Sequence, residues 1–129
     1  MNETHAQTPF RTGEIARVLD EIRENFNINN VLFSFRDGTP LVDNTRGFKD
    51  HDLSTTCASI LASAEGLGET LGTSKTSNII TDLEEYTLIV RGCDERTFIA
   101  LIIQNDSVVG DVFEELDEYV SKIITMYRE

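Results

Sequence analysis

Two neighbouring segments constrain this chain more than any other feature. Residues 86–91 (YTLIVR) and 97–103 (TFIALII) are short, rich in β-branched and aliphatic side chains, and apolar on both faces when read with a period of two. Side chains alternate faces along a strand, so such segments bury both faces of their sheet. The sheet that holds them needs a helical layer on each side. A third strand candidate, residues 75–83, precedes them across a turn at Glu84-Glu85. The two apolar strands are joined by a turn around Gly92, Cys93, Asp94 and Glu95, and Asn105-Asp106 closes the last one.

The helices that could supply the cover are legible. Residues 1–7 are polar and are expected to fray. Thr8-Pro9 reads as an N-cap followed by Pro at the first helical position. Ile15, Val18, Leu19, Ile22 and Phe26 then recur at spacings of three and four, one stripe of a helix ending near Asn27. Residues 31–36 (VLFSFR) change period to a strand, with Val31, Phe33 and Phe35 on one face and Leu32 on the other. Asp37-Gly38 is a hairpin turn signal, and residues 40–43 return as a second strand. Pro40 suits an edge, because it cannot donate to a ladder. A polar connection follows at 44–52.

A second helix begins near Asp52 or Leu53, with Leu53, Cys57, Ile60, Leu61, Ala64, Leu67 and Leu71 as its apolar and small positions. Ala58, Ser59, Ala62 and Ser63 leave a face on which another backbone can come close. That face fits either the chain's own sheet or a helix pair across a two-fold dimer. Gly72 is a plausible C-cap. The last helix starts near Ser107, with Val109, Val112, Phe113, Leu116, Val120, Ile123, Ile124 and Tyr127 as its stripe. Asp111, Glu114, Glu115, Asp117 and Glu118 crowd its first half, where the helix dipole favours acids, and read as a solvated face.

The expected architecture is therefore α+β, in the order α-β-β-α-β-β-β-α. A five-stranded antiparallel sheet carries the middle helix on one face and the terminal helices on the other, in a single domain over residues 8–129. One helix covers a five-stranded sheet poorly, which argues for dimerisation through the second helix and its adjacent strand.

The 129 residues carry 23 acids against 11 bases, a formal net charge of −12. That balance excludes a general phosphate-backbone binder and argues against an anionic membrane surface. No apolar run reaches the length of a spanning helix, and residues 1–10 show no secretory signal pattern, so a cytoplasmic location is expected. Only three of the eleven bases are Lys. High acid with little Lys is the surface of a protein kept soluble in strong salt, as in a halophilic archaeon. Cys57 and Cys93 are expected to be reduced, buried thiols.

No catalytic constellation emerges. His5 and His51 have no second His or Cys nearby in sequence, and Asp50, His51 and Asp52 are too close in the chain to converge readily on one metal ion. Residues 66–68 and 72–75 lack the spacing of a phosphate loop. Asp20-Glu21 and Glu84-Glu85 are neighbours in sequence rather than an opposed acid–base pair. The residues point to a small interaction module without catalysis, cofactor or metal.

The element order and several local features resemble the roadblock family of dynein light chains and small-GTPase regulators, in its short prokaryotic form. The resemblance spans about residues 10–127. It rests on Leu19 and Ile22, the hairpin VLFSFRDGTPLVD (31–43), the Ala/Ser run at 58–64, FIALII (98–103), the Val109-Gly110 step and the long last helix. The loop at 46–51 departs from the family's usual composition. The resemblance implies homodimers or heterodimers joined through the second helix and third strand. It places Ala58, Leu61, Ala62, Glu65, Ile79 and Thr81 at that interface. On this reading Ala62→Arg is expected to favour the monomer. It also implies a platform for a Ras-like GTPase, and one bacterial polarity regulator of this family stimulates its GTPase by ordering the switch elements. The partner-facing side would be that of the terminal helices, with Arg11, Arg17 and Glu21. Neither nucleic acid nor membrane insertion is expected. A competing reading is a small-molecule sensor of PAS-like or profilin-like type, which requires an enclosed pocket with converging polar groups. A small enzyme is a further alternative.

Overall fold

The computed structural model describes residues 12–28, 30–44, 50–73, 78–104 and 108–128. Its elements, in chain order, are α1 (Thr12–Phe26), β1 (Asn30–Phe35), β2 (Pro40–Asn44), α2 (Asp50–Thr70), β3 (Ile79–Asp82), β4 (Thr87–Gly92), β5 (Thr97–Ile103) and α3 (Val109–Arg128). The expected order is the observed one, and the five strands form one antiparallel sheet in the order β2-β1-β5-β4-β3. The Thr8-Pro9 cap, the loop at 45–49, residues 74–77 and the stretch 105–107 lie outside the described residues, as do the side chains of Asp50 and His51.

The fully buried strand β5 is the spine, and period two sorts its side chains. Ile99, Leu101 and Ile103 join Val31, Phe33 and Ile89 in one core, beneath α1 and α3. Phe98, Ala100 and Ile102 join Leu32, Leu88 and Val90 in the other, beneath α2. The terminal helices share one face and the middle helix takes the other. All five residues of the expected α1 stripe are buried. The α3 stripe holds at Val112, Leu116, Val120 and Ile123, and Tyr119 is buried with them. Its ring meets Phe26 edge-on at 6.2 Å, and its hydroxyl accepts a 2.6 Å hydrogen bond from Asn25 Nδ2. That partner satisfies the polar tip, which is what lets a tyrosine sit in a core.

The β1–β2 turn positions α2. Gly38 adopts φ +94°, and a Cβ there would lie 3.0 Å from both Cα and Oγ1 of Thr55. Backbone conformation and close approach both require glycine. Ser54 Oγ donates to Gly38 O at 2.5 Å, seating the start of α2 on the turn. At its far end α2 stops in a Schellman motif. Gly72 adopts φ +84°, Gly72 N donates to Glu69 O at 3.1 Å, and Thr73 N donates to Gly68 O at 2.9 Å. Pro40 opens β2, an edge strand, as its missing donor requires.

Candidate interaction surfaces

The first surface lies on α2 and β3. The last buried residue of α2 is Leu61, nine positions before the helix ends. At about 100° per residue, Ser54, Cys57, Ala58 and Leu61 point into the sheet, while Ile60, Ala64, Leu67 and Leu71 form a separate row on one flank. The four-three-four spacing of that row is that of a helix-pairing seam. Ile60 and Ala64 are half-buried, whereas Leu67 is 59% and Leu71 70% exposed. The other exposed large apolar residues among those described are Ile80 (53%), which shares the α1/α3 face of the sheet with its register partner Ile89, and Leu83 (51%), just after β3. β3 ends the sheet, and its outer edge pairs with no strand among the described residues. The solvent side of α2 is Thr55, Thr56, Ser59, Ala62, Ser63 and Gly66, with Asp52 and Glu69 as its exposed acids. In a chain of net charge −12, the leucine row and its flank carry no charged residue, the depletion of charge found in an interface core.

A cluster of polar groups fixes how α2 is rotated. Arg36, at the end of β1, places Nη1 at 2.7 and 2.6 Å from the two oxygens of Glu65. Its Nε donates to Asp94 O at 2.9 Å. Asp94 in turn holds the β4–β5 turn, its Oδ1 accepting from Arg96 N (2.9 Å), Thr97 N (2.8 Å) and Thr97 Oγ1 (2.7 Å). Gly92 makes room, because a Cβ there would lie 2.5 Å from Arg36 Nη2. One guanidinium thus ties the first hairpin, α2 and the second hairpin together, and the leucine row is turned away from that tie.

The sequence-predicted interface residues divide accordingly. Leu61 is 2% exposed and belongs to its own chain's core, as does Ala58. Glu65 is engaged by Arg36. Ala62 is exposed, but roughly 160° around the helix from the leucine row. Ile79 and Thr81 are half-buried on the α2 side of β3, in register with Val90 and Leu88. Sequence reasoning counted Leu67 and Leu71 as apolar helix positions without separating them from the core. Their heptad spacing was the available signal.

The second surface is an open groove of about 400 Å³ between α1 and α3, lined by Glu14, Arg17, Val18, Glu21, Lys122 and Met126. Val18 and Met126 give it an apolar floor. Lys122 Nζ pairs with Glu21 Oε1 at 3.2 Å across the two helices. Arg17 and Glu21, predicted to face a partner, therefore line one groove, while Arg11 lies outside the described residues. The α3 acids Asp111, Glu114, Glu115, Asp117 and Glu118 are exposed in the first half of the same helix, and Arg91 pairs with Asp117 at 2.5 Å.

The two cysteines offer no reactive thiol. Cys57 is buried, and burial pushes its thiol up to about 11. Cys93 is pushed up to about 12, by burial first and then by the Asp94 carboxylate, against the opposing pull of Arg91 and Arg36. Both thiols are free, protonated and unreactive at neutral pH. No group of three metal-ligating side chains occurs among the described residues. No helix among them is long and apolar enough to cross a membrane.

No protein-family model matches the sequence, and no curated protein matches it. Solved structures do match the fold. An MglB with a tetrameric arrangement superposes with a TM-score of 0.85 at 18% identity, covering 92% of this chain and 91% of that one. The gliding protein MglB from Thermus thermophilus gives 0.82 at 17%, covering 92% of each chain. A roadblock/LC7 domain from Streptomyces avermitilis gives 0.68 at 12%, covering 79% and 87%. Identities this low speak for fold alone, and the chain has the α+β fold of the MglB and roadblock structures.

Proposed function

We propose that this chain is a non-catalytic regulator or scaffold that works as a homodimer and binds a Ras-like small GTPase. The observation that carries the reading is the unfinished α2 side of a roadblock-type sheet. It combines a leucine row and a helix surface poor in charge with an edge strand that pairs with no strand among the described residues. A second copy brought edge to edge along β3 would pair that strand and cover the row at the same time. Self-association is also the state named for one of the similar structures, the MglB with a tetrameric arrangement. The GTPase comes from the roadblock resemblance. The groove between α1 and α3 supports it with charged side chains of both signs around an apolar floor, and Arg17 and Glu21 are its proposed contacts. Arg11 belongs with them on the same reading. The acid surplus and scarcity of Lys support a salt-rich cytoplasm as the setting.

The test is to mix the purified chain with small GTPases of the same genome, loaded with GTP or GDP, and to look for a complex by size-exclusion chromatography. A nucleotide-dependent complex that weakens on Arg17→Glu is expected. Absence of a complex with every such GTPase would overturn the reading. Faster GTP hydrolysis in the complex would mark an activator, and an unchanged rate a scaffold.

A further inference from the structure

The end of α2 does not have the means to be a stable helix on its own. After Leu61 no α2 residue is buried, and among the described residues the last side chain from outside the helix to clamp it is Arg36, on Glu65. Residues 66–71 (GLGETL) follow, with two glycines in three positions. Each interior glycine disfavours the helix about fivefold relative to alanine. The hydrogen bonds that finish this segment are its own: the Schellman pair, Thr70 Oγ1 to Gly66 O at 3.1 Å and Thr73 Oγ1 to Gly68 O at 3.3 Å. Most helical stability in proteins comes from packing an apolar face. The apolar face here, Leu67 and Leu71, stays 59% and 70% exposed.

We infer that residues 66–73 are a conditional helix end, ordered when the Ile60–Ala64–Leu67–Leu71 row packs against the same row of a second copy and frayed in the monomer. This deepens the dimer reading and rests on it. The second copy is the occupant because the row's flank of α2 carries none of the helix's acids, so two chains of net charge −12 can meet there, and the outer edge of β3, paired with no strand among the described residues, can pair across the same two-fold axis. Folding of the helix end and association are then one equilibrium. The dimer surface around the end of α2 exists only above the dissociation concentration, so protein abundance controls whether that surface is presented.

Hydrogen exchange read by mass spectrometry, at protein concentrations above and below dissociation, tests this. Amides of residues 67–73 are expected to exchange at least about tenfold faster in the monomer, while those of 54–61 keep their protection. Gly66→Ala supplies the second arm. A Cβ at Gly66 meets nothing within 4 Å, and the position lies 100° or more around the helix from Leu67 and Leu71. Removing the glycine cost should tighten dimerisation about fivefold per protomer, hence about 25-fold in the dimer Kd. Equal protection of 67–73 in monomer and dimer, or an unchanged Kd in Gly66→Ala, would overturn the inference and leave the dimer standing. Absence of any dimer would sink both.

Discussion

Gly92→Ala is the most informative single change in the core scaffold, because its effect should depend on a residue far away in sequence. The new methyl would sit 2.5 Å from Arg36 Nη2, so the guanidinium must move off Glu65. Both partners of that pair are partly exposed, at 26% and 38%, which holds its contribution to about 1 kcal/mol although Nη1 reaches both carboxylate oxygens. Against that loss, alanine in a strand is favoured over glycine by roughly 0.5–1 kcal/mol. In the natural background the two terms nearly cancel, and Gly92→Ala should be neutral to about 0.5 kcal/mol destabilising. Arg36→Ala alone should cost about 2 kcal/mol, since it also removes the charged hydrogen bond to Asp94 O. With Arg36 already absent, Gly92→Ala should stabilise by roughly 0.5–1 kcal/mol. The coupling of about 1 kcal/mol is measurable by urea unfolding followed by circular dichroism, with all four chains at one protein concentration so that association does not vary. If the two substitutions simply add, Gly92 is not there to make room for Arg36, and the account of how α2 is held fails.

Leu61→Ala should destabilise the chain by roughly 2–5 kcal/mol by urea unfolding, because Leu61 fills the core under α2 instead of offering surface to a partner. An effect under about 1 kcal/mol would place it outside that core. The thiols set an alkaline limit. Both have folded values raised above the ordinary value near 9, to about 11 and about 12, so the stability they contribute is fully present below pH 9. It is lost as the pH rises from there through the folded values, because the unfolded chain ionises first. Unfolding midpoints should fall between pH 9 and 11, less steeply in Cys57→Ala, and identical slopes in the two chains would contradict the burial of Cys57.

The layers of the fold were legible because they rest on local periodicity. Ile15, Val18, Leu19, Ile22 and Phe26 have one helical face to occupy, and a strand such as TFIALII needs cover on both sides wherever it lies. The strand order was less accessible, since the pairing of β1 with β5 joins residues far apart in the chain and leaves no local mark. The rotation of α2 was hidden for a similar reason. Leu53, Cys57, Ile60, Ala64, Leu67 and Leu71 keep one heptad register, but which part of it meets the sheet is decided by Ser54 on Gly38 and by Arg36 on Glu65. Those contacts link distant segments. Without them the Ala/Ser run around Ala62 looked like the contact face. Ala62 itself lies about 160° around the helix from the exposed leucines, whereas Ala64 of the same run belongs to their row. Tyr119 was missed because its hydroxyl counts against burial until Asn25 is seen to satisfy it.

Sedimentation equilibrium of three chains tests the central claim, that the α2 side is completed by a second copy through the leucine row. The natural chain should weigh twice its 14.5 kDa. Leu67→Arg, which places a charge in the centre of the row, should weigh one chain mass at the same concentration, and Ala62→Arg should remain a dimer. A natural chain that stays monomeric at every concentration would contradict the account. So would a dimer that Ala62→Arg breaks and Leu67→Arg does not.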